Sequence, residues 1–347
     1  MSELSLFEYF LAGLSSFIVV ALLTPLFRRI ALSINFVDSP NLPHKTHRSP
    51  IPYMGGVAIM IGVMSIISIA TFSRANEAQA QLALSIFLPA AALGVIGLID
   101  DKYALSPLSR FLAQTTMGVI TASIVVSTNS SGNPTGVLIL DVVISTLWVV
   151  GVSNSVNFFD NVDGGASGAI AIISTGIFMI ALFNNQFLLA AVSIVTLGAT
   201  ASFLLWNSAP ARIYMGDAGA LFLGFIISVL TIRLDPEVES KALSFSVPLL
   251  LLAIPILDTS VAVTSRIRRG LSPFKGGRDH LSHRLMSLGL KKQSAVFLLW
   301  ALTFVFVALS VATSLDLKVS KFLPFLASTI WVALFLSFLR IQDFDVP

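Results

Sequence analysis

The chain of 347 residues is 55% hydrophobic and only 11% charged, with a formal net charge of +3, four histidines and no cysteine. Its mean hydropathy is +0.89, whereas a soluble chain carries about a quarter charged residues. Composition therefore excludes a pair of soluble domains in favour of one integral membrane domain over 1–347, and excludes disulfide or thiolate chemistry.

In chain order, apolar runs near the roughly 20 residues that cross a bilayer as a helix predict an all-α, polytopic membrane helix bundle of about eleven transmembrane helices. They lie near 5–27, 53–72, 82–99, 109–126, 136–152, 167–183, 187–205, 219–233, 243–265, 294–314 and 321–339. The first has Glu3 and Glu8 at its start and no Lys or Arg. A cleavable leader wants a basic start and a shorter apolar core, so this span reads as a retained helix. Pro248 and Pro255 in the ninth span predict a kink whose freed carbonyls must find partners on neighbouring helices.

An odd number of spans puts the termini on opposite sides. Connections 28–52, 100–110, 153–166, 206–218 and 266–293, with the C-terminus, then share one side and carry 16 of the 21 Lys and Arg. Arg74, Arg233, Lys241, Lys318 and Lys321 fall on the other. Positive residues stay cytoplasmic, which predicts an external N-terminus and places the richer side in the cytoplasm. Every polar cluster lies there: "PHKTHRSPIPYMGG" (43–56), "LIDDKYALSP" (98–107), "NSVNFFDNVDGG" (154–165), "RIYMGDAGA" (212–220) and "RRGLSPFKGGRDHLSHRL" (268–285). Their convergence on one face predicts a single site.

Asp100 and Asp101 are adjacent carboxylates at the end of an apolar helix. Ionisable groups bordering a span are functional candidates, as a general base or an organiser of a metal; a solvated helix end with Lys102 as counter-charge is the plainer reading. Asn154, Asn157, Asp160 and Asp163 recur every third residue, so neighbours share a helix face, and Gly164–Gly165 lets backbone approach a ligand. Amide and carboxylate oxygens suit a hard cation such as Mg2+, although an asparagine-rich capping turn would look similar. Asp217, in "MGDAG", suits a helix N-cap and a ligand equally. The histidines form two HxxH pairs, His44/His47 and His280/His283. Lys45, Arg48, Arg268, Arg269, Lys275, Arg278 and Arg284 beside them would repel a dication and suit phosphate, or anionic lipid. Together these features describe carboxylates, a metal and a basic phosphate clamp beside a bilayer, which an enzyme joining a soluble phosphate donor to a lipid phosphate requires.

Over residues 43–290 the sequence resembles the polyprenyl-phosphate N-acetylhexosamine-1-phosphate transferase family (glycosyltransferase family 4), most nearly its bacterial undecaprenyl-phosphate N-acetylglucosamine-1-phosphate transferases. "HKTHRSPIPYMGG" resembles the family's basic loop and paired glycine, "IDDKYALSP" its DD loop, and "NSVNFFDNVDGGASG" its NxxNxxDxxDG loop. "YMGDAGALFLG" resembles its MGD segment and "GRDHLSHRLMSLGL" its last cytoplasmic loop, all in family order.

The resemblance implies transfer of a sugar 1-phosphate from a UDP-sugar donor to a polyprenyl phosphate lipid, releasing UMP, with Mg2+ and Mn2+ as its substitute. By motif position Asn157 and Asp217 would ligate the metal, and Asp163 with Asn154 would hold the nucleotide. Asp100 would deprotonate or orient the lipid phosphate with Asp101 in support. Lys45 would face that phosphate, with His47 also at substrate; His280, His283 and Arg284 would face the sugar or pyrophosphate. Asp160 belongs to the site with its role open. Direct displacement is favoured over a covalent aspartyl route, since the lipid phosphate is itself nucleophilic and needs mainly positioning. Two departures bear on the sugar: Ser282 replaces the middle histidine of a common HxHHR pattern, and Tyr53 stands where many relatives have a basic residue. A multi-pass protein of the cell membrane follows, with no nucleic-acid partner and a homodimer left open. The leading reading is initiation of an envelope polysaccharide with N-acetylglucosamine. Another UDP-N-acetylhexosamine or the muramoyl-pentapeptide donor is the near alternative. An ion-coupled transporter is disfavoured by loop-borne polar groups and the lack of a repeat; a histidine-metal oxidase is disfavoured by too few histidines.

Overall fold

The computed structural model describes residues 4–38, 50–74, 77–132, 134–238, 240–273, 276–315 and 319–341. It opens with α1 (Leu6–Ser33), the short antiparallel pair β1 (Val37–Asp38) and β2 (Ile51–Pro52), then α2 (Gly55–Arg74), α3 (Glu77–Tyr103) and α4 (Pro107–Ser127). Next come α5 (Leu138–Phe159), α6 (Gly165–Phe183), α7 (Phe187–Asn207) and α8 (Gly216–Arg233). The chain continues as α9 (Lys241–Leu251), α10 (Ala253–Arg268), α11 (Leu281–Ser287), α12 (Lys292–Ser314) and α13 (Leu323–Arg340). Among the described residues ten helices are long and apolar enough to cross a membrane, and eleven if the bent pair α9–α10 is counted as one span. The chain is thus a multi-pass membrane protein.

Local chemistry sets the helix ends. Ser5 and Glu8 form a reciprocal capping box at α1. Ser106 caps α4, accepting from Ser109 N at 3.1 Å, with Pro107 opening the first turn. The expected kink is a 73° bend between α9 and α10. Ser310 Oγ donates to Val247 O (2.9 Å) and Trp331 Nε1 to Ala253 O (2.9 Å), so α12 and α13 supply donors around the break.

The core centres on α8, which packs against α2, α3 and α5 and buries Phe222, Phe225 and Ile226 completely. Large apolar side chains cover the outside instead, with Phe72 89% and Phe325 78% exposed, as a lipid-facing surface requires. Several boundaries depart from expectation, since α1 runs on to Ser33, α3 to Tyr103, and α4 opens at Pro107. The connection predicted over 153–166 is mostly helix, because α5 runs on to Phe159. Hydropathy ends the span where polar side chains begin, but a helix inside a bundle can carry them when neighbouring helices satisfy them.

Candidate active site

A cavity of about 530 Å³ opens among the ends of α3, α4, α5 and α8 and the start of α12. Six aspartates line it (Asp38, Asp100, Asp101, Asp160, Asp163 and Asp217), with Arg110 and Lys292 as the cations and Asn157, Asn161, Tyr53, Tyr214 and His283 among the remaining walls.

Asp100 Oδ1 accepts Leu105 N (2.6 Å) and its Oδ2 accepts Arg110 (2.8 Å). Arg110 also stands 3.4 Å from Asp217 Oδ2. The counter-charge expected from Lys102 comes from Arg110, delivered by the next helix. Asp101 accepts the Asp217 and Ala218 amides at 2.9 and 3.3 Å. It therefore supplies the cap of α8 from α3, and Asp217 sits within the first helical turn rather than capping it. Gly216, at φ +66°, is required there because a Cβ would run into the Asp101 carboxylate.

Asn157 Nδ2 donates to Asp217 Oδ1 (2.6 Å), which leaves the Asn157 carbonyl oxygen for another ligand. Asp160 ends α5, and burial, then the Asp217, Asp101 and Asp163 charges, push its carboxyl well above the usual range. Asp163 accepts Ala211 N (3.0 Å) and Lys292 (3.2 Å). Asn207 ties down the following turn, accepting Gly164 N at 3.0 Å. Opposite the acids, backbone bonds Gly55 N to Tyr214 O, Gly56 N to Met215 O and Tyr214 N to Pro52 O (3.0, 3.0 and 2.9 Å) stitch residues 52–56 to the α8 approach. They place the rings of Tyr53 and Tyr214 6.2 Å apart. Burial, then nearby carboxylates, raise both phenols.

The remaining expected site residues stand elsewhere. Asn154 turns toward α4, donating to Gln114 and to Val150 O (2.8 Å). It lines a narrow adjoining slot of about 40 Å³ with Pro107, Phe111, Gln114 and Phe158, joined to the cavity through Arg110, Asn157 and Asp217. His280 and Arg284 lie behind the wall. His280 Nδ1 meets Asp258 at 2.7 Å and its Nε2 faces Arg266 at 3.2 Å; since arginine only donates, the ring carries its proton on Nδ1. Arg284, 2% exposed, donates to Asp279 O (2.9 Å), Phe338 O (3.1 Å), Ile341 O and Ser265 Oγ (2.9 Å). The clamp expected from this loop is thus largely spent within the protein. Asp279 accepts from Nε and Nη2 of Arg266 (2.8 and 2.7 Å) and from Nη2 of Arg269 (2.9 Å). Burial alone would raise Asp279, but the Arg266 bonds and charge hold it below the usual range. Only His283 of the loop's expected residues reaches the cavity. Its Nδ1 is buried without a partner, and burial, with His280 beside it, pushes the imidazole down to about 4. Lys45 and His47 lie outside the described residues.

Sequence reasoning missed Arg110, Lys292, Asn207, Asp258 and Asp279. Arg110, a lone cation ten residues after the acid pair at the head of an apolar span, carried a readable signal; Asn207 carried none.

The described residues hold no cluster of three or more His, Cys, Asp or Glu side chains suited to a metal. The donors of the cavity are carboxylate and amide oxygens, which fit a hard cation that keeps phosphate and water in its shell. Among the described residues six acids line the cavity against two cations, an excess of negative charge that a bound cation would offset for an entering diphosphate.

Residues 83–235 match the model of glycosyl transferase family 4. The chain is 32% identical over 340 residues to a probable undecaprenyl-phosphate N-acetylglucosaminyl 1-phosphate transferase of Bacillus subtilis, covering 95% of this chain and 88% of that one. It is 29% identical to a decaprenyl-phosphate N-acetylglucosaminephosphotransferase of Mycolicibacterium smegmatis, over 84% of this chain and 79% of that one. It is 27% identical to an undecaprenyl-phosphate alpha-N-acetylglucosaminyl 1-phosphate transferase of Salmonella typhi, over 83% and 80%. The chain belongs to glycosyl transferase family 4 and is a membrane-embedded sugar-phosphate transferase.

Proposed function

We propose that the protein transfers N-acetylglucosamine 1-phosphate from UDP-N-acetylglucosamine to undecaprenyl phosphate, releasing UMP, on the cytoplasmic face of the cell membrane. The product would begin an envelope polysaccharide. The observation that carries the reading is Arg110, set 2.8 Å from Asp100 and 3.4 Å from Asp217. It stands where the polar cavity meets the slot between α4 and α5. The slot includes Phe111, 44% exposed on the bundle surface, so a lipid lying in the bilayer could bring its phosphate to Arg110 with its chain still outside.

In this reading the acceptor phosphate rests on Arg110, and Asp100 fixes the guanidinium and orients the phosphate. An acceptor phosphate oxygen forms a bond to the phosphorus that carries the sugar, and the bond from that phosphorus to the UMP oxygen breaks. Asp217 and Asn157, with Asp160 beside them, would hold Mg2+ or Mn2+, which when bound neutralises the donor diphosphate and the charge on the leaving group. Asp101 acts as a positioning residue, because its bonds to the amides of α8 aim Asp217. Asp163 and Lys292 border the nucleotide end, the Tyr53–Tyr214 pair offers an aromatic wall to a base, and His283 lines the donor side of the cavity. Lys45 remains assigned to the lipid phosphate and His47 to substrate binding.

Radiolabelled transfer in membranes tests the reading, with UDP-N-acetylglucosamine, undecaprenyl phosphate, and Mg2+ present or absent. Metal-dependent labelled lipid together with UMP is expected. Labelled lipid formed only from another UDP-N-acetylhexosamine would replace the sugar; UDP in place of UMP would overturn the bond assignment.

A further inference from the structure

Ser282 interrupts an otherwise histidine-bearing loop, and neither the metal nor the phosphates account for it. Its side chain is completely buried and its hydroxyl donates to Asn161 Oδ1. The same carboxamide donates through Nδ2 to Phe158 O (2.7 Å) and to Asp258 Oδ2 (3.3 Å). Asp258, also completely buried, accepts Leu281 N on Oδ1 (2.7 Å) and the His280 ring on Oδ2 (2.7 Å). One amide and one carboxylate therefore join three separate pieces of chain: the turn after α5, the middle of α10 and the first turn of α11.

This network is satisfied internally, as buried polar groups ordinarily are. The next residue contrasts with it: His283 lines the cavity and has a buried nitrogen with no partner. Ser282 and Asp258 are absent from the cavity lining, whereas Asn161 stands in it between Asp160 and Asp163. None of the three lines the slot beside Arg110.

We infer that Ser282, Asn161 and Asp258 form a positioning latch that sets the separation between the 160–164 turn and His283, and thereby the fit of the nucleotide-sugar donor. The inference rests on the transferase reading above. A carboxamide of fixed length with a different partner at each end holds the two walls at one spacing. A histidine at 282 would place a ring against the Asn161 carboxamide and drive it toward the cavity, so the serine suits this chain's own donor wall. Because the latch borders the donor side and not the slot, its loss should weaken the donor and spare the lipid.

The test combines steady-state kinetics of the full-length protein with hydrogen exchange. Ser282→Ala and Asn161→Ala are expected to raise the donor KM about tenfold, the size of effect a lost buried hydrogen bond gives. The undecaprenyl phosphate KM should stay within about twofold, and Ser282→Thr, which keeps the hydroxyl, should return the donor KM to within about threefold of the parent. Amide exchange over 160–165 should quicken about tenfold in Ser282→Ala while α8 exchanges as before. Equal rises in both KM values, a fall in kcat alone, or unchanged exchange over 160–165 would each overturn the latch. If the parent protein transfers from no UDP-N-acetylhexosamine, the donor reading fails instead, and the exchange experiment still decides whether the latch exists.

Discussion

The acid-lined cavity and the basic stretch from Arg266 to Arg284 are both dense in charge, of opposite sign, and the structure treats them differently. In the cavity, Arg110 is shared between Asp100 and Asp217, and Asp160 has no ion-pair partner among the described residues. In the loop, Asp279 is closed off between Arg266 and Arg269, and Arg284 is turned onto backbone oxygens. Charge composition therefore says little about binding. Unmet charge and unmet hydrogen bonds point to a ligand where they gather around one cavity, because a buried unpaired group costs free energy that a partner recovers.

Variants on the two sides of this comparison should fail differently. The largest effect is expected at Arg110→Gln and Asp217→Asn, each lowering kcat/KM by about 10²–10³ or more, the range for losing a group that stabilises developing charge. Thermal unfolding of Asp217→Asn should stay close to the parent's, since one of several crowded acids loses its charge, whereas Arg110→Gln also strips the counter-charge from buried Asp100 and should unfold lower. A collapse of melting temperature in Asp217→Asn would erase the distinction. Asp279→Ala should do the reverse. It strands the buried Arg266 guanidinium and removes a partner of half-buried Arg269; breaking a buried pair typically costs about 3–5 kcal/mol, so unfolding in detergent should move well below the parent before any kinetic defect can be read. A folded, inactive Asp279→Ala protein would instead put that carboxylate in the chemistry.

His283 sits on the boundary and gives a smaller, pH-dependent effect. Its folded state resists the proton that an unfolded chain accepts near 6.5, with the folded value held at about 4. Stability is then full above about 6.5 and is lost as pH falls toward 4, by on the order of 2 kcal/mol between pH 7 and 5. Unfolding scans at those two pH values should differ less for His283→Gln than for the parent; an equal difference would remove His283 as the cause. The smallest effect is metal stabilisation. Mg2+ at ten times its dissociation constant should add about 1.4 kcal/mol to the parent and markedly less to Asp217→Asn. Equal stabilisation of both would move the metal away from Asp217.

Much of the fold was legible because a bilayer demands it. Each of the eleven expected spans has a helix or helix pair in the structure, and the kink anticipated from Pro248 and Pro255 is the α9–α10 bend. Oxygen donors were also legible: the acids Asp100, Asp101, Asp160, Asp163 and Asp217 and the amide Asn157 line one cavity. Spacing failed where partners come from distant helices. Asn154 and Asn157 belong to one periodic stripe, yet Gln114 draws the first into the α4–α5 interface and Asp217 draws the second into the cavity.

The sequence by itself determined the number of spans, their kink and which residues carry oxygen donors, since these follow from hydropathy, proline chemistry and side-chain type. Tertiary structure alone decided that Asp101 caps α8, that Arg110 serves two acids, and that the basic loop spends its charge on Asp279 and on backbone carbonyls. Whether a polar group is satisfied depends on what packing brings within about 3 Å of it, and that distance is set by helices far apart in the chain.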